Sequence, residues 1–213
     1  MPPTPPPPVR PARGRFITLE GPDGSGKTLQ ARRLADGLRA TGLDVVLARE
    51  PGGTRLGERI RELLLEPTGR MSPAADVLLF NAARAEHVAE VIEPALAAGR
   101  TVVCARYADS TLAYQGYGSR QPLDVLRTVI AFATGGLVPD RTILLDLPAE
   151  AGLSRKAPDD HTRFEAAFDV EFHRRVRAGF LELAAAEPSR WIVVDADREA
   201  DAVFESVLAA ALR

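Results

Sequence analysis

An α/β fold, a parallel sheet of about five strands covered by helices on both faces, is the class this sequence predicts. Two observations predict it: short apolar runs alternate along the chain with stretches of helical periodicity, and a glycine-rich turn sits where the first run gives way to the first helix. In such a sheet ligands bind at the carboxyl ends of the strands.

Residues 1–14, MPPTPPPPVRPARG, carry seven of the 17 prolines and little to bury, so they read as a mobile, polyproline-like tail and folding is expected to begin near Arg15. Phe16-Ile17-Thr18-Leu19 is a buried strand, and the helix after the turn places Ala31, Leu34, Ala35 and Leu38 on one face. Gly42 stops that helix, Val45-Val46-Leu47 is the second strand, and Leu56 to Leu65 a short helix. A long helical stretch covers Pro73 to Ala98, followed by the strand Thr101–Cys104, a helix from Leu123 to Ala133, and the strand Thr142–Leu147. A short helix Ala149–Ser154, a charged segment Arg155–Arg163, a helix to Ala186, the strand Trp191–Val194 and a closing helix with Val203, Phe204, Val207, Leu208 and Ala211 on one face complete a single domain, residues 15–213.

Composition narrows the function classes. With 27 Lys plus Arg against 29 Asp plus Glu, the net charge of −2 argues against a nucleic-acid polymer or a membrane surface as partner, so anion binding must be local. One cysteine, Cys104, allows no internal disulfide, and three histidines provide no zinc-ligand cluster. No apolar run is long enough to span a bilayer, and a cytoplasmic setting is expected.

The turn after the first strand, Gly21-Pro22-Asp23-Gly24-Ser25-Gly26-Lys27-Thr28, matches G-x-x-x-x-G-K-[ST], the P-loop. Its glycines let successive N–H groups curl around a polyphosphate at a helix N-terminus, Lys27 adds charge at the β- and γ-phosphates, and Thr28 offers a hydroxyl to Mg²⁺. A three-layer P-loop NTPase fold binding ATP or GTP with Mg²⁺ follows, and the chain contains no N-K-x-D guanine-reading motif.

Other residues suit an acceptor. Phe80, Arg84 and His87 fall at i, i+4 and i+7, so one helical face presents a ring and a guanidinium suited to a flat heterocycle; a core Phe80 and a merely paired Arg84 fit that spacing as well, and His87 reads as structural. Arg106 follows the third strand at its ligand end and suits bidentate phosphate binding, and Arg49 and Glu50 end the second strand at the same edge. Arg155-Lys156-Ala157-Pro158-Asp159-Asp160-His161-Thr162-Arg163 is charged and lacks apolar anchors, which reads as a lid or as a solvated connection.

Five segments, taken together and in order, resemble bacterial thymidylate kinases: the P-loop, Arg49-Glu50-Pro51-Gly52-Gly53-Thr54, Phe80 to His87, Arg106 to Gly116, and Pro139-Asp140 before a strand reaching Asp146. The resemblance implies transfer of the ATP γ-phosphoryl group to dTMP with Mg²⁺, in a homodimer formed through helices near Ala74–Ala98. It also implies that Phe80 stacks on thymine and Arg84 bonds to it, that Asp23 faces the acceptor's sugar side, and that Arg49 and Arg106 reach phosphate. Thr111, Tyr114 and Gln115 would line the nucleoside pocket, with Tyr114 crowding the sugar 2′ position, and Glu50, at the strand end beside Arg49, is a further candidate for the substrate site. This P-loop carries no arginine, so the resemblance puts the catalytic arginine in the lid, at Arg155 or Arg163. In the family the strand before Arg106 ordinarily ends in Asp, and here Ala105 stands in that place. Asp109 could then serve the metal through a water, or Thr28 and the phosphates could hold it alone. A silent or slow nucleotide-binding homologue, or a kinase for another nucleoside monophosphate, are the alternatives this departure leaves.

Overall fold

The structure is a computed structural model and describes residues 13–66, 71–155 and 169–213. Five strands, β1 (Phe16–Glu20), β2 (Val45–Arg49), β3 (Thr101–Ala105), β4 (Arg141–Asp146) and β5 (Trp191–Asp195), pair in parallel in the order β2-β3-β1-β4-β5. The inner strands β1, β3 and β4 are near-continuous apolar runs because they are buried from both faces of the sheet, whereas the edge strands β2 and β5 leave Leu47 and Val193 exposed.

Side-chain alternation along β1 sorts the two faces. Ile17 and Leu19 point into a core with Leu34, Leu38, Val103, Ile143, Leu145 and Val207. That core lies beneath α1 (Lys27–Ala40) and the C-terminal helix (Ala200–Leu212). Phe16 is of opposite phase and joins Ile92, Leu96, Cys104 and Tyr107 on the other side. Thr18 shares that phase and bonds Thr142 across the sheet at 3.0 Å, so its buried hydroxyl is satisfied.

Between β2 and β3 come α2 (Arg55–Leu65) and α3 (Pro73–His87), the latter running through a π-helical turn (Val88–Ile92) into α4 (Glu93–Ala97). After β3 a single helical turn, α5 (Ala108–Thr111), passes into a second π-helical stretch (Leu112–Gly118) and then α6 (Leu123–Thr134). Among the described residues that follow are helices α7 (Ala149–Ser154), α8 (Val170–Ala186) and α9 (Ala200–Leu212). The chain thus leaves β1 toward the α1 face and β3 toward the opposite face. The crevice between these adjacent strands, at their carboxyl ends, is the topological switch point where ligands bind.

Several expectations need correction. The docked chain begins before Arg15: the Gly14 N–H donates to the Leu96 carbonyl at 2.9 Å, and Arg13 pairs with Asp140 at 3.0 Å. Three of the five strands run one residue past their last expected apolar position, to Glu20, Ala105 and Asp195, because the backbone ladder continues whatever the side chain, while β2 ends at Arg49, with Glu50 just beyond it. Strand β4 stops at Asp146 rather than Leu147. The long helical stretch from Pro73 is not uniformly α-helical, since the turn at Val88–Ile92 is π-helical. Most of the expected lid, residues 156–163, lies outside the described residues.

Candidate functional site

The P-loop leaves β1 in a path that only glycine follows comfortably. Gly24 and Gly26 have φ of 75° and 84°, and a Cβ on Gly24 would stand 2.0 Å from the Gly152 carbonyl oxygen, so the loop lies backbone to backbone against α7. Gly26 then caps α1, leaving that helix's first N–H groups facing the turn. The Lys27 ammonium donates to the Gly21 and Pro22 carbonyls at 2.9 and 2.7 Å and to Ser25 Oγ at 3.2 Å, which holds its charge at the loop.

Lys27 and Thr28 form one wall of a cavity of about 450 Å³. Five cationic side chains line it, Lys27, Arg49, Arg61, Arg84 and Arg106, against two carboxylates, Asp23 and Glu50, so it is built for anions. Arg106 follows β3 with φ of 68°, a left-handed conformation unusual for a residue with a side chain. That backbone aims its guanidinium at the P-loop, where Nη2 donates to Asp23 Oδ1 at 2.5 Å, and the group lies 5.0 Å over the Tyr114 ring. His173 of α8 is buried, with Nδ1 3.9 Å from the other Asp23 oxygen. Burial pushes the Tyr114 hydroxyl well above its ordinary pKa, so it stays protonated beside Arg106 and Asp23.

Opposite the P-loop, the cavity ends at α3. Phe80 lines it while resting on Ile60, Leu64 and Ala83. Arg84 is 2% exposed and held on all sides: Nε donates to Glu50 Oε2 at 2.8 Å, Nη1 to Asn81 Oδ1 and Thr111 Oγ1 at 3.0 Å each, and Nη2 to the Tyr107 carbonyl at 3.0 Å. The second Glu50 oxygen lies 3.0 Å from His87 Nδ1. Gln115 donates to buried Asp76 at 2.8 Å. The far end is therefore rigid before any ligand arrives.

All the acceptor-side residues expected from the sequence meet at this cavity: Asp23, Arg49, Glu50, Phe80, Arg84, Arg106, Thr111, Tyr114 and Gln115. Three expectations are corrected in detail. Glu50 spends both oxygens on Arg84 and His87, so it orients the guanidinium rather than offering itself to a ligand. Asp109 is not brought to the P-loop: Arg190 takes both its oxygens, at 2.7 and 3.0 Å, and it does not line the cavity. Arg155 is also outside the lining and donates to the Ala196 carbonyl and Asp197 at 2.9 and 3.0 Å. Arg163 lies outside the described residues.

The sequence reading missed Arg61, Tyr107 and Ser110, which also line the cavity. Burial first, then the guanidiniums of Arg49 and Arg106, push the Arg61 pKa below its usual value, though an arginine there remains charged. Its signal was available, because Arg61 lies one helical turn after Gly57 on a helix whose buried stripe is Gly57, Ile60 and Leu64.

A P-loop facing a second, arginine-lined anion site in one cavity defines a nucleotide-dependent phosphotransferase. A family model described as thymidylate kinase matches residues 19–207. The thymidylate kinase of Deinococcus radiodurans is 52% identical over 203 residues, covering 93% of this chain and 97% of its own, and that of Caulobacter vibrioides is 49% identical over 197 residues, covering 92% and 94%. The crystal structure of thymidylate kinase from Ehrlichia chaffeensis superposes with a TM-score of 0.78 at 34% identity, over 94% of this chain and all of that one. The chain belongs to the thymidylate kinase family.

Removing Glu50 would leave the Arg84 charge buried without its carboxylate. Glu50→Ala is expected to lower unfolding free energy by about 3–5 kcal/mol, the usual result of breaking a buried pair from one side. Urea denaturation measures it, and a loss under about 1 kcal/mol would show the pair is not a structural keystone.

Proposed function

We propose that the cavity transfers the γ-phosphoryl group of ATP to the 5′-phosphate of dTMP, giving dTDP and ADP, with Mg²⁺ carried on the nucleotide. The observation that carries this reading is that the P-loop and Arg106 share one cavity and touch through Asp23. A phosphate dianion needs no base to attack phosphorus, so catalysis rests on positioning and charge neutralisation.

In this reading the P-loop N–H groups and Lys27 take the donor's phosphates, Lys27 exchanging its loop carbonyls for them. Arg106, backed by Arg49 and Arg61, takes the acceptor phosphate. Phe80 and Arg84 take the thymine ring, the flat apolar face of Phe80 for its plane and a rigidly held N–H donor for a carbonyl. Tyr114 stands beside Asp23 and Arg106, where it would crowd a 2′-hydroxyl. The lid arginine is assigned to Arg163, since Arg155 is committed to Ala196 and Asp197.

The donor set fits a metal that arrives with ATP. Among the described residues no three His, Cys, Asp or Glu side chains gather to hold an ion, Ala105 brings no carboxylate, and Thr28 is the one hydroxyl the P-loop sets at the cavity for it. Mg²⁺ keeps waters and binds phosphates readily, so Thr28 and the nucleotide suffice, and the ion would supply charge neutralisation at the β- and γ-phosphates.

A homodimer through α3 and α6 is part of the proposal. These helices pack together and leave Leu78, Val125 and Phe132 bare, Phe132 at 92% exposure, which a lone domain has no reason to present. No described helix is long and apolar enough to cross a membrane, and a cytoplasmic setting is proposed with the substrates. Light scattering is expected to give twice the chain mass, falling to one chain in Phe132→Glu; a monomer before substitution would contradict the dimer.

ADP release with ATP, Mg²⁺ and each nucleoside monophosphate tests the function. Turnover is expected to require dTMP and to fall by about 10²–10³ in Lys27→Ala, the typical loss of a preorganised charge. Nucleotide hydrolysis indifferent to any monophosphate, or another preferred acceptor, would contradict the reading. The Ala105→Asp variant is expected to turn over dTMP as the parent does; activity only in that variant would show that Ala105 silences the site.

A further inference from the structure

Glu20 is fully buried at the end of β1, one residue before the P-loop, and no step of the phosphoryl transfer uses it. It shares the phase of Phe16 and Thr18, so it points to the sheet face opposite α1. Its Oε1 accepts from the Tyr107 N–H at 2.7 Å, and its Oε2 accepts from the Ser110 hydroxyl at 2.6 Å. Ser110 Oγ in turn accepts from Arg106 Nη1 at 3.4 Å. The Arg106–Tyr107 peptide and Ser110 are therefore tied to one carboxylate, and Arg106, at φ of 68°, opens the turn they span.

We propose that Glu20 is a positioning residue for the acceptor end of the reaction: its carboxylate holds the Arg106–Ser110 turn from behind the cavity and, through Ser110, sets the direction of the Arg106 guanidinium. The inference rests on Arg106 as the acceptor-phosphate clamp. It adds a charge-dependent support on the strand that feeds the P-loop, so β1 governs both phosphate sites.

Stability alone does not account for a carboxylate here. Burial first, and then the Asp109 carboxylate, push the Glu20 pKa up to about 7, against the Ser110, Arg106 and Tyr107 contacts that favour its charge. The groups facing it are Arg106 and Tyr107 of the turn, Asp109 and Ser110 of α5, and Cys104 of β3. Asp109 is itself held by Arg190, and Arg106 is shared with Asp23. A carboxyl raised from 4.5 to about 7 binds more protons folded than unfolded between those values, so its contribution is greatest below about pH 4.5 and is lost as pH rises through 7. The fold would be better served by a neutral group, and a charge kept at that expense points to function.

Glu20→Gln separates the two. A glutamine carbonyl can accept from the Tyr107 N–H and its amide can donate to Ser110 Oγ, so the bonds persist while the charge goes. Its thermal midpoint at pH 8 is expected to equal or exceed the parent's. The KM for dTMP is expected to rise about tenfold, a loss in the range of one charge-assisted contact, while the KM for ATP stays within about twofold. In the parent, kcat/KM for dTMP should fall as pH drops through about 7, and this limb should vanish in Glu20→Gln. The acceptor's own phosphate ionisation, near pH 6, appears in both chains and so cancels.

An unchanged KM for dTMP with an unchanged pH limb would overturn the proposal. So would equal increases in both KM values with a lowered midpoint, the mark of a scaffold residue. If Glu20→Gln does not fold, Ser110→Ala removes only the relay hydroxyl and must raise the dTMP KM without moving that of ATP. Arg106→Lys, run in parallel, separates the readings: if it leaves the dTMP KM untouched the clamp assignment itself fails, whereas an effect there without one at Glu20 defeats only the positioning role.

Discussion

Asp23 and Arg106 leave the sheet from adjacent strands, and the 2.5 Å bond between them joins the turn after β1 to the turn after β3. A carboxylate in a phosphate-binding loop would by itself repel a polyphosphate, and an arginine in a left-handed turn would by itself be free to swing. Paired, each removes the other's cost: the carboxylate is neutralised and the guanidinium is aimed. His173 approaches Asp23 from α8, and Glu20 braces the Arg106 turn from beneath, so four elements converge on this one contact. The pair is only partly exposed, so it is stronger than a surface ion pair when satisfied and costly when one partner is removed. That asymmetry lets the geometry persist across a site crowded with positive charge.

The Arg84 end of the cavity solves a different problem by the same means. Arg84 is buried and would be expensive there alone, but Glu50, Asn81, Thr111 and the Tyr107 carbonyl share its donors. Glu50 is completed by His87, and Tyr107 also hands its N–H to Glu20. The hydrogen bonds therefore run from the Arg84 end of the cavity to the P-loop strand through the segment after β3. This is why the segment departs from regular helix: the π-helical stretch at Leu112–Gly118 sets Tyr114 and Gln115 at the cavity while Thr111 reaches Arg84.

Much of this was legible in the chain. The P-loop announced itself by spacing and flanks, and Arg106 by its place after a strand. The inner strands were legible because burial from both sides demands uninterrupted apolar runs, and the edge strands because theirs are short and rich in valine. The hidden remainder has two physical causes. Backbone pairing continues past the last apolar residue, so Glu20, whose polarity suggests a turn, is the last residue of β1. The positive φ at Arg106 redirects the chain after β3, so Asp109, four residues beyond Ala105, faces Arg190 instead of the phosphates. Gly14 docks because it has no side chain, a Cβ there standing 1.8 Å from the Arg100 carbonyl oxygen, and a proline-rich prefix concealed this.

If Asp23 and Arg106 hold the acceptor as one unit, the effects of removing them do not add. Calorimetric titration of dTMP into the parent chain, Asp23→Asn, Arg106→Lys and the double variant gives their coupling directly. A coupling free energy of about 1 kcal/mol or more is predicted, the double variant losing clearly less affinity than the two single losses together. Losses that add to within about 0.5 kcal/mol would contradict the account, because the two residues would then serve the acceptor independently.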